Sequence, residues 1–174
     1  GTSAIPLQGE PEKNFMLGVN GTWKVNPLTG KYQYLVYGGM ALNNTWGRIL
    51  TTDASGKAVT NWYFFDDKSN MITGWHKDAR TSKWYYLNPQ AGANNGKMLT
   101  SWFKTADGSI NNKEYWYFAD SSSGVMYKGW VLIGDKWYYF APTNMPDGRP
   151  EGSLYTNTTT PDGYKVNANG EWIQ

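Results

Sequence analysis

The chain has 174 residues, with 10 Trp, 13 Tyr and 6 Phe against 23 Leu, Ile and Val together, a formal net charge of +2 and no cysteine. The lack of cysteine excludes a disulfide framework and a thiolate metal site, and so small a charge excludes a chain held open by its own repulsion. Lys and Arg are scattered rather than clustered, which argues against a nucleic-acid partner, and no apolar run of about 18 residues is present to span a membrane.

In chain order, residues 1–20 are polar, lack the form of a signal peptide, and read as a linker or N-terminal cap leading from a longer parent protein. From Gly21 to the end the chain reads as one domain, because it repeats itself. A loose first copy has Trp23, the triplet Tyr32-Gln33-Tyr34 and then Met40. Four closer copies open at Trp46, Trp75, Trp102 and Trp130, at intervals of 29, 27 and 28 residues. A second Trp follows in each, opening a W-Y-[YF] triplet at Trp62, Trp84, Trp116 and Trp137. A third mark falls at Met71, Met98, Met126 and Leu154, at intervals of 27, 28 and 28.

Turns such as KDARTSK, NPQAGANNGK and ADSSSGV separate these marks, and no copy carries an apolar face of helical period. Short aromatic segments bounded by Gly, Asn, Asp and Ser read as β-hairpins. One hairpin alone is marginal in water, so the copies must stack to bury their rings. The predicted fold is all-β, a solenoid of about five stacked β-hairpin repeats. From about residue 158 a C-terminal cap is expected: PDGYKVNANGEWIQ carries a two-residue Asn169-Gly170 turn, with Tyr164 and Trp172 covering the rings before them.

Successive strand residues point to opposite sides. Trp84 and Tyr86 therefore share one face while Tyr85 takes the other, and the same holds for the triplets at Trp116 and Trp137. The middle tyrosines Tyr63, Tyr85, Tyr117 and Tyr138 are expected in the core, with the Met series as packing filler. The Trp residues serve either as ligand walls or as packing between hairpins. Asp53, Asp78, Asp107 and Asp135 recur between the two Trp of each copy and are expected to shape turns. His76, the single histidine, lacks the partners for a zinc site or a catalytic triad and is expected at a surface or groove edge. No catalytic residue, metal ligand or cofactor is assigned, and the chain is not expected to be an enzyme.

The order G-W, turn, W-Y-Y-[LF], turn, G-x-M, seen in Gly74–Met98 and Gly129–Phe140, resembles the choline-binding (cell-wall-binding) repeat of pneumococcal surface proteins and phage lysins. More distantly it is similar to glucan-binding and clostridial toxin repeats. The resemblance covers Gly21 to the end. It implies ligand sites between consecutive hairpins, walled by Trp46, Trp62 and Tyr86; by Trp75, Trp84 and Phe118; and by Trp102, Trp116 and Tyr139. A weaker first site would use Trp23, Tyr32 and Phe64, and a last one Trp130 and Trp137, closed by Tyr164.

The implied function is a non-catalytic module on a bacterial cell surface or cell wall, outside the cell, holding choline on teichoic or lipoteichoic acid. Ring quadrupoles hold a quaternary ammonium, which has no N–H to donate, at roughly 0.5–2 kcal/mol per ring, and several weak sites on one polymer reinforce one another. A glycan ligand and a ligand-free structural spacer or adhesion stalk stay open as alternatives, as does a homodimer. The turns are longer than in the familiar repeat, Thr45 and Ser101 replace Gly before Trp46 and Trp102, and Phe replaces Tyr at positions 64 and 118.

Overall fold

The computed structural model describes residues 21–36 and 38–174, so the expected linker or N-terminal cap over residues 1–20 lies outside the described residues. These residues form two compact units, the first ending at Leu99 and the second spanning Thr100–Gln174.

In the first unit, β1 (Thr22–Val25), β2 (Tyr32–Val36) and β3 (Met40–Ala41) form an antiparallel sheet. Two hairpins follow, β4 (Thr45–Thr52) with β5 (Ala58–Phe65), and β6 (Gly74–Lys77) with β7 (Trp84–Leu87). The second unit has the hairpins β8 (Ser101–Thr105) with β9 (Tyr115–Ala119) and β10 (Gly129–Ile133) with β11 (Lys136–Phe140). It ends in a small sheet of β12 (Thr158–Thr159), β13 (Lys165–Val166) and β14 (Trp172–Ile173). Among the described residues there is no helix, and the all-β stacked-hairpin class expected from the repeats is the architecture found.

The hairpins are chained by backbone bonds that explain the Met period. The amide of Met71 donates to the Tyr32 carbonyl at 2.8 Å, that of Met98 to Trp62 at 2.9 Å, and that of Leu154 to Trp116 at 2.8 Å. Each acceptor is the first residue of the preceding hairpin's triplet. The next amide returns to its own hairpin's third triplet residue, as in Ile72 to Phe64, Leu99 to Tyr86, Tyr127 to Phe118 and Tyr155 to Tyr139, each at 2.9 Å. At Met71, Met98 and Leu154, one residue thus satisfies a carbonyl of the previous hairpin, which an isolated hairpin would leave to water.

Rings supply the burial. Tyr63, Tyr85 and Tyr117 are buried as expected of the middle triplet position, while Tyr138 is half-buried. The first unit's core gathers Tyr34, Val36, Ile49, Tyr63, Phe65 and Met71, with Trp23 against them. In the second unit Phe118, Phe140 and Leu154 form one cluster, and Tyr139, Ala141, Tyr155 and Val166 another. The Asp turns form as expected at Asp53, whose Oδ1 accepts the amides of Ser55 and Lys57 at 2.9 Å each. Asp78 does the same for the amides of Arg80 and Thr81 at 2.9 and 3.1 Å.

Candidate functional site

Antiparallel register decides which rings meet. Across each hairpin the opening Trp faces the third residue of its own triplet: Trp23 with Tyr34, Trp46 with Phe64, Trp75 with Tyr86, Trp102 with Phe118 and Trp130 with Tyr139. The two rings lie 4.7–5.4 Å apart between centroids. The triplet's first Trp is diagonal on the same face and meets the opening Trp edge-on, at 6.4 Å for Trp46 and Trp62, 6.2 Å for Trp75 and Trp84, and 6.5 Å for Trp102 and Trp116.

The rings that reach back from the next hairpin are not those expected. Tyr85, rather than Tyr86, packs on Trp46 at 4.9 Å. Tyr138 and Phe140, on either side of Tyr139, pack on Trp102 at 5.0 and 5.8 Å. Tyr63 and Phe65, on either side of Phe64, pack on Trp23 at 5.0 and 6.0 Å, while Tyr32 sits 6.3 Å from Trp23. The reason is strand alternation: the third ring is committed to its own Trp, so the second and fourth positions point at the preceding hairpin. Of the expected trio Trp75, Trp84 and Phe118, the two indoles belong to the first unit and Phe118 to the second.

Trp46 is only 2% exposed. Its surroundings are filled by His76, which stacks on Phe64 at 3.9 Å and meets Trp46 at 5.6 Å, so of the two expected placings His76 takes the groove edge, half-buried among rings. Burial pushes the imidazole pKa down, against the upward pull of the Asp78 carboxylate. A polar cavity of about 480 Å³ lies beside this group, its lining including Phe64, Asp66, Asp67, His76, Asp78 and Arg80.

A different notch forms in the second unit. Trp130, Trp137, Asp162, Tyr164 and Trp172 line a cavity of about 470 Å³. Tyr164 stands perpendicular to Trp130 at 5.8 Å and meets Trp172 at 6.3 Å. Trp137 is 42% and Tyr164 50% exposed, so both rings are open to solvent at the notch. Trp130 is held from behind by the Tyr139, Ala141, Tyr155 and Val166 cluster.

The charge at this notch is negative. The indole N–H of Trp130 donates to Asp162 Oδ2 at 2.8 Å, and the Thr160 hydroxyl donates to Oδ1 at 2.5 Å. The Thr160 bond first, then the Trp130 bond, hold this carboxyl below its usual range, so it is ionised at neutral pH. Both oxygens already accept a hydrogen bond, and Asp162 offers the notch charge more than further acceptor sites. That combination, flat ring faces with a diffuse negative charge, suits a cation that has no N–H groups to satisfy.

Of the expected residues, the structure thus brings Trp130, Trp137 and Tyr164 together at one open notch. Asp162 and Trp172 join them there. Sequence reasoning placed Trp172 in a cap and passed over Asp162, although the 32-residue spacing from Trp130 to Asp162 equals that from Trp46 to Asp78, whose Oδ2 lies 3.5 Å from the Trp46 indole nitrogen.

Parts of the chain match known repeats. Residues 55–103 match a family model described as a choline-binding repeat, and residues 128–143 match one described as a cell wall binding repeat. No curated protein sequence matches the chain. Among solved structures, CbpJ from Streptococcus pneumoniae is 31% identical over 87% of this chain and 40% of its own, with a TM-score of 0.58. The modular Cpl-1 endolysin, solved with a peptidoglycan analogue, is 31% identical over 89% of this chain and 37% of its own, with a TM-score of 0.50. The choline binding domain of Spr1274 in Streptococcus pneumoniae is 35% identical over 59% of this chain and 96% of its own, with a TM-score of 0.41. The chain therefore spans less than half the length of CbpJ and of the endolysin. The hairpins, the Trp and Met periods and these matches agree: the chain carries choline-binding and cell wall binding repeats, and its fold is similar to that of choline-binding proteins.

Proposed function

We propose that this chain is a non-catalytic binding module that holds choline on a bacterial cell-wall or surface polymer, outside the cell. The observation that carries this reading is the notch of Trp130, Trp137, Tyr164 and Trp172 with the Asp162 carboxylate among the rings. A trimethylammonium group between those faces gains from each ring quadrupole and from the nearby charge, and loses no hydrogen bond on leaving water. Any catalytic activity of a longer parent protein would belong to another domain.

The test is a titration of Trp fluorescence with choline chloride, run in parallel with soluble glucan oligosaccharides. Saturable quenching by choline that Trp137→Ala abolishes supports the reading. A response to the sugars alone overturns it in favour of a glycan-binding module. That second reading draws on the polar cavity beside Phe64 and His76, whose carboxylates and Arg80 guanidinium offer the hydrogen-bonding groups a sugar would use.

A further inference from the structure

The turn that carries Asp162 reads Thr160-Pro161-Asp162-Gly163-Tyr164. Pro161 presets its own φ, and Gly163 takes a φ of +93°, which a side chain would strain. The turn closes around Thr160, whose amide donates to the Tyr164 carbonyl at 2.7 Å and whose carbonyl accepts the Gly163 amide at 2.9 Å. The Thr160 hydroxyl makes two more bonds, donating to Asp162 Oδ1 at 2.5 Å and accepting the Tyr164 amide at 3.2 Å. Thr160 is 3% exposed and stands behind the notch, whereas Asp162 and Tyr164 line it. A buried hydroxyl needs partners, and both partners here are notch residues.

The first unit shows what this hydroxyl adds. Asp78 stands to Trp46 as Asp162 stands to Trp130, but its Oδ1 accepts the turn amides of Arg80 and Thr81, and its Oδ2 lies 3.5 Å from the indole nitrogen. Asp162 takes its Oδ1 bond from the Thr160 side chain, and its Oδ2 comes to 2.8 Å from the Trp130 indole. Held at both oxygens, the carboxylate cannot rotate without breaking a charge-assisted bond.

We propose that Thr160 is the positioning residue of the notch: its single hydroxyl fixes the Asp162 carboxylate against Trp130 and the backbone from which the Tyr164 ring projects. The inference rests on the reading of the notch as a quaternary-ammonium site. A ligand without N–H groups cannot draw a carboxylate into place by bonding to it, so the protein must supply the placement beforehand. Thr160 does so without touching the ligand. The same bond is the largest cause of the lowered Asp162 pKa, ahead of the Trp130 bond. Of the tyrosines around the notch, Tyr139 feels the resulting charge: its hydroxyl pKa is pushed up by burial first and by Asp162 second.

The experiment measures choline affinity by calorimetry across pH for wild type, Thr160→Val and Thr160→Ser, with urea unfolding of each and a carbon-13 NMR titration of the Asp162 carboxyl. Thr160→Val keeps the side chain's shape and loses the hydroxyl, so affinity at about pH 7 falls about threefold or more. The acid limb of binding moves to higher pH, because the carboxyl returns toward its ordinary 3.8. Thr160→Ser keeps affinity within about twofold and leaves the limb in place. A loss of stability alone would not move that limb. Thr160→Val with wild-type affinity or an unmoved limb, or Thr160→Ser as weak as Thr160→Val, overturns the positioning role while the binding function stands. If Thr160→Val does not fold, the wild-type carboxyl decides: titration below 3.8 supports the role, and titration at 3.8 overturns it. A wild-type protein that does not bind choline at saturation removes the proposed function and this inference together.

Discussion

The indole N–H of Trp130 donates to the carboxylate of Asp162, 32 residues further along the chain, at 2.8 Å. Trp46 and Asp78 stand in the same relation at 3.5 Å. One scaffold serves two ends. At Trp46 the next hairpin contributes His76 and Tyr85, which fill the space against the indole. At Trp130 it contributes Tyr164, which stands off perpendicular and leaves a notch.

Asp162→Asn keeps the side chain's shape and removes its charge, so choline affinity should fall by about three- to tenfold, measured by calorimetry. The carboxyl's pKa is depressed below its ordinary 3.8, chiefly by Thr160 and then Trp130. Its favourable contribution is therefore complete above that ordinary value and is lost as pH falls through the lower folded-state value. Choline binding should be flat from about pH 8 to about pH 5 and weaken only in stronger acid.

Trp46 and Trp137 should separate packing from binding. Trp46 is 2% exposed, and Trp46→Ala should cost about 3–5 kcal/mol of stability in urea unfolding. Trp137→Ala removes a half-exposed ring and should cost under about 1 kcal/mol while abolishing the choline response. Equal stability losses in the two variants would contradict the division of roles.

His76 gives the first unit a dependence on pH. Burial lowers its folded-state pKa below the ordinary 6.5, so the unfolded chain binds the proton more readily. Stability is then full above about pH 6.5 and declines as pH falls toward the folded-state value. Thermal melting of wild type should drop between about pH 7.5 and about pH 5, and His76→Phe should flatten that drop. As the chain has one histidine, a wild-type melting temperature unchanged over this range would contradict the lowered pKa of the half-buried His76 stacked on Phe64.

Gly152 has a φ of +85°, and a Cβ there would lie 2.3 Å from the Met126 sulfur; Gly96, with a φ of +83°, stands in the same relation to Met71. Gly152→Ala combines backbone strain with displacement of a buried Met, and should cost about 1–3 kcal/mol in denaturant unfolding. Gly96→Ala should cost a similar amount, because the turn sits on the preceding repeat's Met in both cases.

Much of this was legible in the chain. The Trp and Met periods specify hairpins in series, and period-two alternation correctly separates Tyr85 from Trp84 and Tyr86. What alternation does not give is which face of a hairpin meets the preceding one. That depends on register: Trp75 pairs with Tyr86 and leaves Tyr85 to reach Trp46. Asp162 was hidden for a related reason. As one Asp among turn formers it has no distinctive neighbours in sequence, and only the fold of the β12–β13 turn carries it to the Trp130 indole.

The most direct measurement is a crystal structure of the protein grown with saturating choline. The account predicts density for a trimethylammonium group between Trp130, Trp137, Tyr164 and Trp172, with the Asp162 carboxylate still bonded to the Trp130 indole. An empty notch at saturation, or choline bound only at other hairpins, would contradict it.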